Sequence, residues 1–282
     1  MTTYRTLKAD GHEVFYREAG DPTQPTLLLL HGFPSTSAQY ERLIEYLGDD
    51  YHLVAPDYPG FGRTAPLDDA TTFDRIADII EAFVEEKGLE RYSLYMFDFG
   101  SPVGFRLATR HPERVECLII QNATAYETGL GPKMRVMGPY WEDRDANEAA
   151  MRDFLTLETT RSQYVDGVPD PATVDPDLWE LDQRYLDLPD RDKVMLDLLY
   201  DYQNNLPQYP AWQEFLRDNH PPTLMPWGQN DEFFPLDGAR AFLADIPDAQ
   251  LEPLDTGHIA TATHSGEIAR SIDRFLSSQP AG

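Results

Sequence analysis

The chemistry of this sequence is concentrated in residues 94–108, LYMFDFGSPVGFRLA. A hydrophobic run from Tyr92 to Phe97 leads into Asp98, then Phe99 and Gly100. Beyond the turn a helical pattern continues through Phe105, Leu107 and Ala108. A strand turning sharply into a helix is the geometry that lifts a nucleophile above a sheet, most often written G-x-S-x-G. Ser101 does not fit, because Phe99 and Val103 occupy the positions that require glycine. The reactive group at the turn is instead a carboxylate, Asp98. A carboxylate attacking an acyl carbon gives an anhydride, whereas attack at an sp³ carbon gives an alkyl ester that water can cleave. An aspartate ahead of a helix can also act simply as its cap. The residue type leaves both readings open.

Elements able to hold such a turn are written along the chain. Strand-like runs are TLLLL (26–30), HLVAP (52–56), YSLYMF (92–97), VECLIIQ (115–121), TLMPW (223–227) and AQLEPL (249–254). Amphipathic segments lie between most of them, such as FDRIADIIEAFVEEKG, with apolar residues at three- and four-residue spacing. Near-continuous apolar strands alternating with helices predict an α/β fold, a parallel sheet covered on both faces. The opening YRTLKADGHEVFYREAG predicts a hairpin turning at Asp10-Gly11 at one sheet edge. Residues 127–212 break the alternation. They contain helical stretches, many prolines and three of the four tryptophans, Trp141, Trp179 and Trp212, and no convincing strand. An aromatic-rich helical insertion between sheet strands has the character of a lid, although most of its aromatics must hold the insertion itself together.

Composition narrows the function. The chain has 282 residues, 41% hydrophobic, a length suited to one α/β unit. Its single cysteine, Cys117, excludes an internal disulfide and a zinc–thiolate cluster, and its apolar run VECLII suits a buried thiol. Formal net charge is −26, with four lysines among 23 basic residues. That field repels nucleic acid and anionic membranes and disfavours strongly anionic substrates. The acidic residues are dispersed, as on a solvated surface adapted to a salt-rich cytoplasm. The opening TTYRTLKADG lacks the apolar core of a signal peptide, so a cytoplasmic protein, monomer or homodimer, is expected.

Four segments in order along the chain carry a resemblance: HGFP (31–34), FDFGSPVG (97–104), WGQND (227–231) and TGH (256–258). With the helical insertion before the third, the chain resembles the α/β-hydrolases over nearly its full length. Within them it is most similar to the branch of epoxide hydrolases and haloalkane dehalogenases. The resemblance implies a core of residues 1–126 and 213–282 and a helical cap, 127–212, inserted between two sheet strands. Phe97-Asp98-Phe99-Gly100 matches elbow patterns resembling His-Asp-Trp-Gly, which makes Asp98 the nucleophile. His258 then stands at the general base and Asp231 at the acid that orients it. Some relatives carry that acid after the preceding strand, where this chain has Asn122. The backbone N–H groups of Phe33 and Phe99 are the expected oxyanion hole, with the Phe33–Pro34 bond expected to be cis.

The same resemblance frames the leaving group. Dehalogenases of this type hold halide with side-chain N–H donors, typically a tryptophan after the nucleophile and an asparagine or second tryptophan elsewhere; here Phe99 follows the nucleophile and Phe33 stands in the asparagine's usual place. A halide would need Trp141 or Trp179 from the insertion. Epoxide hydrolases protonate the opening oxygen with cap tyrosines. YDYQNN (200–205) resembles their Tyr-Arg-Asn stretch, which puts Tyr202 at the ring-opening position and Tyr140 as a second phenol. The implied activity is hydrolysis of a small, mostly apolar substrate through an ester on Asp98, epoxide to diol first and haloalkane second. It needs no cofactor and no metal. An ester hydrolase or a non-catalytic binding protein on the same fold are the further alternatives.

Overall fold

The computed structural model describes residues 1–279. Its apolar runs become the strands of one eight-stranded sheet: β1 (Thr3–Ala9), β2 (His12–Ala19), β3 (Thr26–Leu30), β4 (His52–Pro56), β5 (Tyr92–Phe97), β6 (Val115–Gln121), β7 (Thr223–Gly228) and β8 (Gln250–Leu254). Their spatial order is β1-β2-β4-β3-β5-β6-β7-β8. Only β2 runs against the others, pairing antiparallel with β1 and β4. The β1–β2 hairpin turns where expected, at Asp10 (φ 44°) and Gly11 (φ 85°). Two successive positive φ values give a turn whose twist matches that of the flanking strands.

Helices cover both faces, and the two-residue period of a strand divides the core between them. On one side Leu28, Leu30, Leu94, Met96 and Ile120 pack against α2 (Phe73–Lys87), α3 (Gly100–Arg110) and α11 (Leu236–Phe242). On the other, Leu27, Leu29, Tyr95, Phe97 and Ile119 meet α1 (Glu41–Leu47) and α12 (Thr261–Ser277). Because β3 and β5 are buried along their whole length, their sequences are nearly all apolar, with Thr26 and Ser93 the polar exceptions. Helix α2 shows local signals agreeing with the tertiary fold. The Thr72 side chain accepts from the Arg75 N–H at its start, and Gly88 ends it at φ 73°, each removing orphan groups at a helix end; such an N-cap is worth about 1 kcal/mol.

Between β6 and β7 the chain is helical: α4 (Pro132–Arg135), α5 (Gly138–Glu142), α6 (Arg144–Met151), α7 (Leu157–Val165), α8 (Pro176–Leu186), α9 (Arg191–Asp201), a 3₁₀ segment (Tyr202–Gln208) and α10 (Tyr209–Asn219). Residue 212, where the sequence reading ends the insertion, falls inside α10. Trp212 there stacks on Phe105 of α3 at 5.2 Å. The insertion is pinned to the sheet domain by buried polar contacts. Arg191 donates to the Thr64 carbonyl at 2.6 Å, and Asp201 accepts the Phe73 N–H at 2.8 Å. No helix among the described residues is long and apolar enough to cross a membrane.

Candidate active site

Asp98 follows β5 directly and sits at φ 49°, a left-handed conformation that is costly outside glycine and that clusters at functional turns. Only glycine lets neighbouring backbone close on this turn. A Cβ on Gly32 would stand 2.5 Å from the Asp98 Cβ, and one on Gly100 would stand 2.1 Å from the Leu30 carbonyl oxygen. The Ser101 hydroxyl is buried and donates to the Thr124 carbonyl at 3.2 Å. The turn therefore presents the aspartate and retires the serine.

The two oxygens of Asp98 have different surroundings. Oδ1 accepts the Phe33 N–H at 2.6 Å, one residue before the cis bond to Pro34. Oδ2 faces His258 Nε2 at 3.9 Å. Burial pushes the carboxyl up to about 6. The nearby His258 and the N–H groups of Phe33 and Phe99 favour the charged form and limit that rise, and Asp231 adds to it. His258 follows β8, with its Nδ1 2.8 Å from Asp231 Oδ2, an arrangement that fixes the tautomer leaving Nε2 free toward Asp98. The imidazole lies among the rings of Phe97, Phe233 and Phe234, at centroid distances of 4.8, 4.9 and 5.8 Å. Burial alone would lower its pKa, but the carboxylates of Asp231 and Asp98 outweigh burial, and the value is raised.

Asp231 lies in the loop after β7. Its Oδ1 accepts the Phe233 N–H at 2.7 Å, and its Oδ2 accepts from Asn122 Nδ2 at 2.9 Å. Asn122 goes beyond its sequence reading as a position that merely lacks a charge. It sits at φ 43° after β6, and its carbonyl accepts the Asp98 N–H at 3.3 Å. Its side chain also clamps Gly228, donating to the carbonyl at 3.0 Å and accepting from the N–H at 2.9 Å. One buried residue thus ties the elbow, through its backbone carbonyl, to the loop that carries the acid, through its side-chain amide. The sequence signal was two polar residues, Gln121 and Asn122, ending an apolar strand.

The insertion candidates separate. Tyr202 is buried, its ring 6.0 Å from that of Phe99 and 5.9 Å from that of Phe73, with Trp141 stacked parallel at 6.2 Å. Burial, then Tyr209 and Asp98, hold its phenol well above the ordinary range, so it stays protonated. Trp141 donates its indole N–H to the Leu199 carbonyl at 2.9 Å. Tyr140 likewise donates to the Leu196 carbonyl at 3.1 Å and packs on Tyr200. Trp179 packs with Tyr164, and the Arg161 guanidinium lies over its ring. Of the four, Tyr202 packs on Phe99 of the elbow and Trp141 stacks behind it on Tyr202. The structure commits the donors of Trp141 and Tyr140 to backbone, since buried N–H and O–H groups of helix residues find carbonyls where they can. Among the described residues no group of three His, Cys, Asp or Glu side chains is arranged to hold a metal.

Known proteins share sequence or fold with this chain. An uncharacterized hydrolase of Saccharomyces cerevisiae is 41% identical over 271 residues, 93% of each chain. A haloalkane dehalogenase of Bradyrhizobium diazoefficiens is 31% identical over 140 residues, half of this chain and 42% of its own. The solved structure of an epoxide hydrolase without ligand superposes with a TM-score of 0.82 at 17% identity, covering 98% of this chain and 99% of that one. The family model described as alpha/beta hydrolase fold matches residues 25–265, and with the mostly parallel sheet and the loops that gather Asp98, Asp231 and His258, the chain belongs to that family and is a hydrolase.

Proposed function

We propose that the enzyme hydrolyses epoxides through an alkyl ester on Asp98. The observation that carries this reading is the unequal setting of the two Asp98 oxygens. Oδ1 already rests on the Phe33 N–H, while Oδ2 is turned to the imidazole. In the first half, Oδ2 attacks an epoxide carbon, the ring C–O bond breaks, and Tyr202 gives its proton to the released oxygen. In the second, His258 Nε2 takes a proton from water, whose oxygen attacks the ester carbon of Asp98. Negative charge gathers on Oδ1, where the N–H groups of Phe33 and Phe99 stabilise it. The Cγ–Oδ2 bond then breaks. The two protons of the water end on the diol and on the Tyr202 phenolate, restoring the enzyme. Esterification also removes the Asp98 charge, one cause of the raised His258 pKa, so the imidazole becomes easier to use as a base just when water must be activated. Residues 127–212 act in this reading as the cap that excludes bulk water.

Epoxide is favoured over halide by the donors available. Phe33 and Phe99 have no side-chain N–H, and the indole N–H of Trp141 is engaged by Leu199. A phenol suits the oxygen of an opening ring. A panel of epoxides and haloalkanes scored for diol and for halide tests the assignment: diol without halide is expected, and halide release alone would reverse the ranking. Tyr202→Phe should slow alkylation of Asp98 by roughly 10²- to 10⁴-fold while leaving hydrolysis of a preformed ester nearly unchanged. Rapid-quench measurement of the two half-reactions checks this, and an equal slowing of both would remove Tyr202 from ring opening.

A further inference from the structure

In a chain with 49 acidic residues against 23 basic ones, a cation stands close to the Asp231–His258 pair. Lys133 belongs to α4, at the entry to the insertion, and that turn is stitched to the loop holding Asp231. The Gly131 N–H donates to the Phe233 carbonyl at 2.8 Å, and the Lys133 N–H donates to the Glu232 carbonyl at 3.2 Å. The Lys133 ammonium then bridges two carboxylates, Asp166 at 2.6 Å and Glu232 at 3.2 Å. Asp166 follows α7, and its backbone closes on the histidine loop, where a Cβ on Gly257 would stand 1.8 Å from its carbonyl oxygen. One ammonium thus joins two points of the insertion to the loops that carry Asp231 and His258.

The same ammonium lies over the Phe233 ring, 5.3 Å from its centroid, and that ring lies 4.9 Å from the His258 imidazole. Phe233 is buried and touches both, so the charge acts on the imidazole across protein rather than water. Asp231 and Asp98 approach the imidazole at 2.8 and 3.9 Å. Burial and Lys133 disfavour the imidazolium that these two carboxylates favour. The acids on neighbouring segments face elsewhere: Asp166 and Glu232 turn to Lys133, and Asp255 accepts from Asn230 at 2.9 Å. Burial also works against the charge of Lys133, but Asp166 and Glu232 outweigh it, and the ammonium holds its proton more firmly than an ordinary lysine.

A base that takes a proton from water cannot act once it is protonated, and two carboxylates within reach drive it that way. We propose that Lys133 is a positioning residue for His258: it locks the insertion onto the acid loop and supplies the positive charge that keeps the imidazole free to accept a proton. This role rests on His258 serving as the base, as in the hydrolysis above, and is the same for an epoxide and a haloalkane.

Titration of the histidine side-chain ¹⁵N resonances of the whole enzyme tests this, at low ionic strength where exposed charges are least screened. The His258 signals are those missing from His258→Gln. Lys133→Met keeps the stem over Phe233 and removes the charge, so it should raise the His258 midpoint by about half a pH unit or more. Lys133→Arg keeps the charge and should leave the midpoint at the wild-type value. A midpoint unmoved in Lys133→Met, or moved equally in Lys133→Arg, would overturn the proposal. If Lys133→Met does not fold, Glu232→Gln takes its place; removing an acid should lower the midpoint, and no movement there is equally decisive. No substrate is present, so the titration judges Lys133 separately from the epoxide assignment, which the diol and halide panel judges.

Discussion

The His258→Gln enzyme, mixed with an epoxide that the wild type hydrolyses, is expected to gain the full mass of that epoxide on a peptide containing Asp98. The two half-reactions make different demands. Displacement needs only the ionised Asp98 carboxylate, whereas cleavage of the ester needs a base within reach of water, and Nε2 is the base that faces Oδ2. Removing the base should leave alkylation largely intact and stop the enzyme at the ester. Intact-protein and peptide mass spectrometry read the result. A haloalkane would add its mass minus the halogen, so the increment identifies the substrate class as well. The nucleophile must be deprotonated, so adduct formation slows as pH falls through the Asp98 titration. His258 favours the charged form of Asp98, which sits near 6 with the imidazole present; in the variant that acid limb lies at or above about 6. An adduct on Ser101, or turnover that survives Asp98→Ala, would sink the assignment of the nucleophile.

Asp231→Asn should preserve the fold and lower steady-state turnover by something on the order of 10⁴-fold, the effect of the analogous change in a Ser-His-Asp triad. The amide can neither stabilise an imidazolium nor enforce Nδ1–H, so water activation fails while Asp98 still alkylates. The ester should therefore accumulate in this variant too, in contrast to one that has lost alkylation. Asn122 supplies a second arm. Its Nδ2 lies 2.9 Å from the Asp231 oxygen that meets His258, so the exchange Asn122→Asp with Asp231→Asn returns a carboxylate close to the imidazole and should recover part of the loss. Near-normal turnover in Asp231→Asn alone would move the acid's role elsewhere.

The framework of this site was legible because its determinants are local. Runs such as TLLLL and YSLYMF are apolar at nearly every position, as strands covered on both faces tend to be, and they become β3 and β5 with those limits. Asp10-Gly11 needed only two positive φ values to be read as a turn. The turn was legible because the run YSLYMF leads straight into Asp98 and a helical pattern follows Gly100, while Phe99 and Val103 stand where a serine elbow at Ser101 would need glycine. The insertion was less legible. Tyr140, Trp141 and Trp179 are alike in sequence as aromatic donors on helices, and what separates them is the carbonyl each finds in space, Leu196 for Tyr140 and Leu199 for Trp141. Asn122 was underread for a related reason. Its importance lies in touching Asp98 through its backbone and Asp231 through its side chain, a convergence of residues more than a hundred positions apart.

The hold of Phe33 on one oxygen of Asp98 has an isotopic consequence. In each turnover the oxygen that bonds to substrate leaves with the diol, and an oxygen from water takes its place on the carboxylate. If Oδ1 never lets go of the Phe33 N–H, the carboxylate cannot turn over between cycles, and the incoming atom always occupies the reactive side. After many turnovers in ¹⁸O water, Asp98 should then carry one heavy oxygen and keep one original oxygen indefinitely. A carboxylate free to rotate would end with both replaced. The hydrogen bond that looks like mere support thus gives the nucleophile a memory of which atom it has spent.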